Sequence, residues 1–81
     1  MVNVMVWGNK SMLDNERDIL LNKGNASLAE AYRIYNEAKT MGFKRVCIHF
    51  LDYKVIREYF PVTGKSYTYT GDACRKAARQ S

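Results

Sequence analysis

Arg45-Val46-Cys47-Ile48-His49-Phe50-Leu51 is the stretch on which the fold turns. Apart from His49, every residue after the arginine is β-branched, aromatic or otherwise apolar, and there is no alternation with polar positions. An extended backbone of this composition is covered on both sides, so the run predicts a central strand of a sheet.

Working outward toward the C-terminus, Lys54 to Val62 carries Val55, Ile56, Tyr59 and Phe60, a spacing compatible with helix or strand. The short connection at Asp52-Tyr53 and the β-branched and aromatic residues favour a strand, ended by Pro61. Thr63-Gly64 supplies a turn, and Lys65 to Tyr69 sets Lys65, Tyr67 and Tyr69 against Ser66 and Thr68 as a third consecutive strand near an edge. Thr70 caps a last helix over Gly71 to Gln80, with Cys74, Ala77 and Ala78 on one face and Asp72, Arg75, Lys76 and Arg79 on the other.

Toward the N-terminus, Gly42 is a left-handed helix stop. The helix it ends starts at Ser27, because Ser27-Leu28-Ala29-Glu30 has the spacing of a reciprocal capping box. Leu28, Ala31, Tyr32, Tyr35 and Ala38 recur on one helical face. Lys10 to Asn25 is polar and irregular, with a helical turn through Asp18 to Leu21 as one option. Val2, Val4 and Val6 alternate as a first strand that Gly8-Asn9 stops.

The order is β-α-β-β-β-α, which predicts a small two-layer α+β sandwich. A right-handed parallel crossover joins the first two strands, giving a mixed sheet with helices on one face. At 81 residues the chain is expected to form a single domain over residues 1–81, with little room for a deep cleft.

No apolar run approaches the length of a membrane span, and Met1 to Trp7 lacks the features of a secretory leader, so a cytoplasmic protein without a membrane partner is expected. Cys47 and Cys74 are then expected to be reduced. With His49 they fall short of a structural zinc site, and no metal or other cofactor is expected.

Net charge is +5, unevenly placed. Residues 1–41 balance five bases with five acids, whereas residues 42–81 carry eight bases against three acids. Such asymmetry points to a polyanionic or acidic partner. Lys44, Arg45, Arg57, Lys65, Tyr67, Tyr69, Arg75, Lys76 and Arg79 are the candidate contact residues. Lysine and arginine neutralise phosphates while tyrosines stack on bases, and cations at the end of a helix are also favoured by its dipole. Alternatively, Tyr67 and Tyr69 face the helices as core.

Two motifs need weighing. Val62-Thr63-Gly64-Lys65-Ser66 matches the end of a phosphate-binding loop, but Tyr59 stands where that motif requires its first glycine and a strand follows where it requires a helix. His49 is the one residue suited to proton transfer near neutral pH, and it sits in a core-like strand.

Tyr69-Thr70-Gly71-Asp72-Ala73-Cys74-Arg75-Lys76-Ala77-Ala78 is similar, at Gly71, the basic pair and the alanines, to the segment opening the last helix of double-stranded-RNA-binding domains. The layout of helix, three-strand meander and basic helix also resembles that family and integrase-type DNA-binding domains. These likenesses concern layout and imply no membership.

The leading expectation is a non-catalytic module whose basic C-terminal half contacts nucleic acid mainly through phosphates. A second is a small inhibitor or adaptor, of phage or mobile-element type, docking on an acidic protein surface with Trp7, Met12, Leu13 or Tyr53 as anchors. A third is a small ribonuclease that depends on His49. A homodimer through Val2–Val6 as an edge strand is also open.

Overall fold

A computed structural model describes residues 1–11 and 17–73 of the chain. Its elements are strand β1 (Val2–Asn9), strand β2 (Asp18–Ala26), helix α1 (Leu28–Ala38), and strands β3 (Arg45–Phe50), β4 (Val55–Phe60) and β5 (Lys65–Thr70). One sheet holds all five strands in the order β2-β1-β3-β4-β5. β3 is an interior strand, as its two-sided apolar sequence requires.

Every pairing is antiparallel, so the sheet is not the mixed one expected. The cause lies in the stretch expected to be irregular from Lys10 to Asn25, with a helical turn through Asp18 to Leu21 as one option: Asp18–Ala26 instead form β2, on the edge of β1 away from β3. The helix therefore crosses from β2 to β3, which run in the same direction with β1 between them. β1 also runs through Gly8 and Asn9 rather than stopping there. Because β1 is interior, Val2–Val6 cannot be the open edge of a dimer; β2 and β5 are the edges.

β2 hides in the sequence for a physical reason. Its register against β1 shifts between Val2 and Val4 and again between Val6 and Trp7. Each irregularity breaks the period-two alternation by which a strand is recognised, and Asn25 at φ +56° bends its end.

The helix forms where its caps place it. The Ser27 hydroxyl accepts the Glu30 backbone N–H at 3.1 Å. The Glu30 carboxylate turns instead to Lys23 Nζ on β2, at 3.3 Å. The helix ends earlier than expected, at Ala38 with Lys39 as its C-cap, and Gly42, at φ +86°, takes the left-handed conformation three residues further on, in the turn that leads to β3. Residues 71–73 are helical, and the rest of the expected last helix, with Cys74, Arg75, Lys76 and Arg79, lies outside the described residues, as do Met12 and Leu13.

α1 packs on β1, β2 and β3. Ala31, Tyr35 and Ala38 press onto Val2, Val4, Val6, Val46, Ile48 and Phe50, the main core. The opposite sheet face carries a smaller cluster of Trp7, Cys47 and Ile56, with Met5 and Tyr69 against it. Among the described residues no helix is long and apolar enough to cross a membrane.

Gly8 has no side chain because the Phe43 ring occupies that space: a Cβ there would lie 2.4 Å from the ring. Gly8→Ala is therefore expected to destabilise the fold by about 1–3 kcal/mol through displacement of Phe43, read as a lower urea midpoint. An unchanged midpoint would show that Phe43 moves freely.

Candidate functional site

Strand parity divides the expected contact residues between the two sides of the sheet. Arg57 and Tyr59 lie opposite Ile48 and Val46 and so face α1, as do Ser66 and Thr68, which lie opposite Tyr59 and Arg57. Lys65, Tyr67 and Tyr69 pair with Phe60, Glu58 and Ile56 and face the other way. The basic and aromatic residues of β4 and β5 therefore do not form one surface. Neither do Tyr67 and Tyr69 face the helix as core: Tyr67 is exposed, edge-on to Phe60 at 5.8 Å between ring centroids.

Arg45 is absent from any surface. It is buried in an ion pair with the buried Glu58 carboxylate, where Nε donates to Oε2. Glu58 Oε1 also accepts the Tyr69 hydroxyl at 3.1 Å, and Arg45 Nη1 donates to Asn9 Oδ1 at 3.4 Å. Partial burial and the Glu58 bond hold the Tyr69 phenol above its ordinary range. Two of the expected contact residues thus serve as a structural lock across β1, β3, β4 and β5.

His49 lies on this same face, edge-on to Trp7 at 6.2 Å between ring centroids. Burial, with the positive charge of Arg17 added, lowers its pKa. Arg17 itself lies 4.5 Å over the Trp7 ring. Trp7 is fully buried, and its indole N–H has no hydrogen-bond partner among the described residues. Cys47, buried beside it, has its thiol pushed up to about 12 by burial and is protonated and unreactive at neutral pH. Among the described residues no three His, Cys, Asp or Glu side chains gather as a metal site requires.

The α1 side is different. The helix backbone stays clear of β4 and β5, and a groove of about 270 Å³ opens between them, floored by Arg57, Tyr59 and the Ser66-Tyr67-Thr68 stretch of β5 and walled by Tyr32, Tyr35, Asn36 and Lys39. Lys39 Nζ sits 4.6 Å from the Tyr35 ring centroid and 4.7 Å from that of Tyr59. The Arg57 guanidinium lies 5.7 Å over Tyr32. Burial pushes the Tyr35 phenol up to about 12, so it stays neutral there. Among the described residues no carboxylate lines the groove.

Elsewhere three of the five bases of the first half are neutralised locally, by Lys10–Asp18 at 3.5 Å and by Lys23–Glu30 and Arg33–Glu37, each at 3.3 Å, while Arg17 lies over the Trp7 ring on the far face. Lys39 escapes this pattern, and sequence reasoning missed it because it counted charge by halves of the chain. The signal was present in Tyr32, Tyr35, Asn36 and Lys39, which share one helix edge at the spacing of three, four and seven residues. Lys44 and Lys65 are exposed where β3 and β5 begin, whereas the helical residues from 71 begin at the other end of β5, beside Lys54. Gly64, at φ +72°, makes the β4–β5 turn, with its N–H donating to the Phe60 carbonyl at 2.8 Å. That turn joins two strands, so Lys65 and Ser66 do not open a phosphate-loop helix.

No known protein family matches the chain, and neither a characterised protein nor a solved structure matches it.

Two consequences concern the face away from α1. Glu58→Ala leaves Arg45 charged and buried without its counter-ion, and is expected to cost about 3–5 kcal/mol, measured by chemical denaturation. A loss below about 1 kcal/mol would place the pair in effective contact with water. For His49, a folded pKa below the unfolded value of about 6.5 means that the unfolded chain takes up the proton first. Stability is then full above that pH and declines as the pH falls through 6.5 toward the folded value. Denaturation midpoints on descent from about pH 7.5 to 5 should show this decline, and His49→Gln should flatten it.

Proposed function

We propose that this protein is a non-catalytic module that binds nucleic acid mainly through phosphates, and that the contact surface is the groove between α1 and the β4–β5 hairpin. The observation carrying the proposal is the pair of cations, Lys39 and Arg57, mounted on tyrosine rings in a recess that no carboxylate of the described residues lines. A cation held over an aromatic face is pre-positioned and partly desolvated, so it exchanges little freedom for a phosphate contact. Lys39 is also the C-cap of α1, where a positive charge is favoured by the helix dipole. Ser66 and Thr68 offer hydroxyl donors on the same floor.

Of the residues expected from sequence, Arg57 is retained in this surface with Tyr59 beside it. Lys44 and Lys65 are outlying cations that extend the positive field, and Arg45 and Tyr69 are removed from it by Glu58. Of the two anchors of the protein-docking alternative that lie among the described residues, Tyr53 is exposed, whereas Trp7 is fully buried and cannot reach a partner.

Fluorescence anisotropy with a labelled oligonucleotide of about 20 residues at low salt should give binding that weakens steeply as salt rises. Lys39→Gln with Arg57→Gln should weaken it by roughly tenfold or more and lower the log-log salt slope by about 1.5–2. Arg33→Gln, which removes an exposed cation already paired with Glu37, should leave both nearly unchanged. Absence of binding at low salt, or equal loss in the double variant and in Arg33→Gln, overturns the proposal.

A further inference from the structure

The phosphate groove does not end at Arg57. A second recess of about 300 Å³ adjoins it, sharing Tyr32 and Arg57, and is lined by Leu28, Phe50, Tyr53 and Val55. Its chemistry is the opposite of its neighbour's, apolar and aromatic apart from the shared arginine. Tyr53 and Leu28 leave 67% and 55% of their surfaces in water. Apolar surface of this kind beside a cationic slot is what a chain of alternating charged and flat apolar units would cover.

A nucleotide strand alternates in that manner, with a phosphate and then a base. The second recess is at the small end of ligand pockets, with space for one heterocycle. A duplex cannot use it, because stacked and paired bases keep their faces inside the helix and present only edges in the grooves. An acidic polypeptide would satisfy Lys39 and Arg57 but brings nothing flat and apolar at each step. The polar groove and the apolar recess together therefore select among polyanions.

Resting on the nucleic-acid reading above, we infer that the ligand is single-stranded, with one unstacked base seated between Leu28 and Tyr53 and the adjoining phosphates on Arg57 and Lys39. Arg57, common to both recesses, meets the link between base and phosphate. Stacking on Tyr53 is tolerant of base identity, so the module discriminates strandedness more than sequence.

The test compares five labelled or competing polyanions at low salt: oligo-dT, oligo-rU, a blunt DNA duplex, an abasic oligonucleotide with as many phosphates, and poly-glutamate. Oligo-dT and oligo-rU should bind at least tenfold more tightly than the other three, and the difference between those two measures any preference for DNA or RNA. Tyr53→Ala, which alters an exposed side chain, should bring oligo-dT and oligo-rU down toward the abasic level, a loss of roughly tenfold, without changing abasic binding or the salt slope. If the duplex or abasic strand binds as tightly as oligo-dT, still dependent on Lys39 and Arg57, the single-strand inference fails and the phosphate-binding function stands. Unchanged oligo-dT binding by Tyr53→Ala also overturns it. If poly-glutamate binds best, or no polyanion binds, both fail together.

Discussion

The buried ion pair of Arg45 and Glu58 is the constraint from which the rest of the arrangement follows. Removing two charges from water is costly, and the cost is met only where each partner is fully satisfied. Here Glu58 receives both the Arg45 guanidinium and the Tyr69 hydroxyl, while Arg45 also reaches Asn9. Four strands contribute to one network. A slip of β4 by a single residue would carry Glu58 to the α1 face and leave Arg45 buried without a counter-ion. The pair therefore fixes strand register, and with it the face on which every other β4 side chain stands.

With Glu58 turned away from α1, Arg57 and Tyr59 must face it. That is half of the groove. The other half comes from the reach of α1, which spans eleven residues and lies over three strands of a five-stranded sheet. Ala31 and Ala38 allow close approach to β1 and β3, and such an approach leaves β4 and β5 beyond the helix. The overhang is bridged by long side chains, Lys39 onto Tyr59 and Arg57 onto Tyr32. A recess with cations on ring faces is thus the by-product of a register lock on one side of the sheet and a narrow helix on the other.

Much of this fold is legible in the sequence, and the illegible part has a common cause. β3 declares itself because both its faces are buried, α1 because Ser27 marks its start, and the hairpin of β4 and β5 because Pro61, Thr63 and Gly64 separate two β-rich runs. β2 does not, since two register shifts erase its alternation. The site is harder again. Charge counts cannot distinguish Arg45, neutralised in the interior, from Arg57, presented in a groove, because the difference lies in a pairing thirteen residues away in the chain. Lys39 was overlooked for the converse reason: its half of the chain is neutral in sum, yet its neighbours Arg33 and Glu37 neutralise each other and leave it to the groove.

The face away from α1 shows how burial disposes of residues that look reactive on paper. Cys47 and His49 are the described side chains best suited to nucleophilic or proton-transfer chemistry, and they stand two positions apart on one strand. Burial shifts them in opposite directions, holding the thiol protonated and the imidazole neutral. Arg17 would help a thiolate, yet burial outweighs it. Activating a nucleophile needs a base nearby that gains a proton as the thiol loses one, and a histidine already disfavoured as a cation beside an arginine is poorly placed for that task.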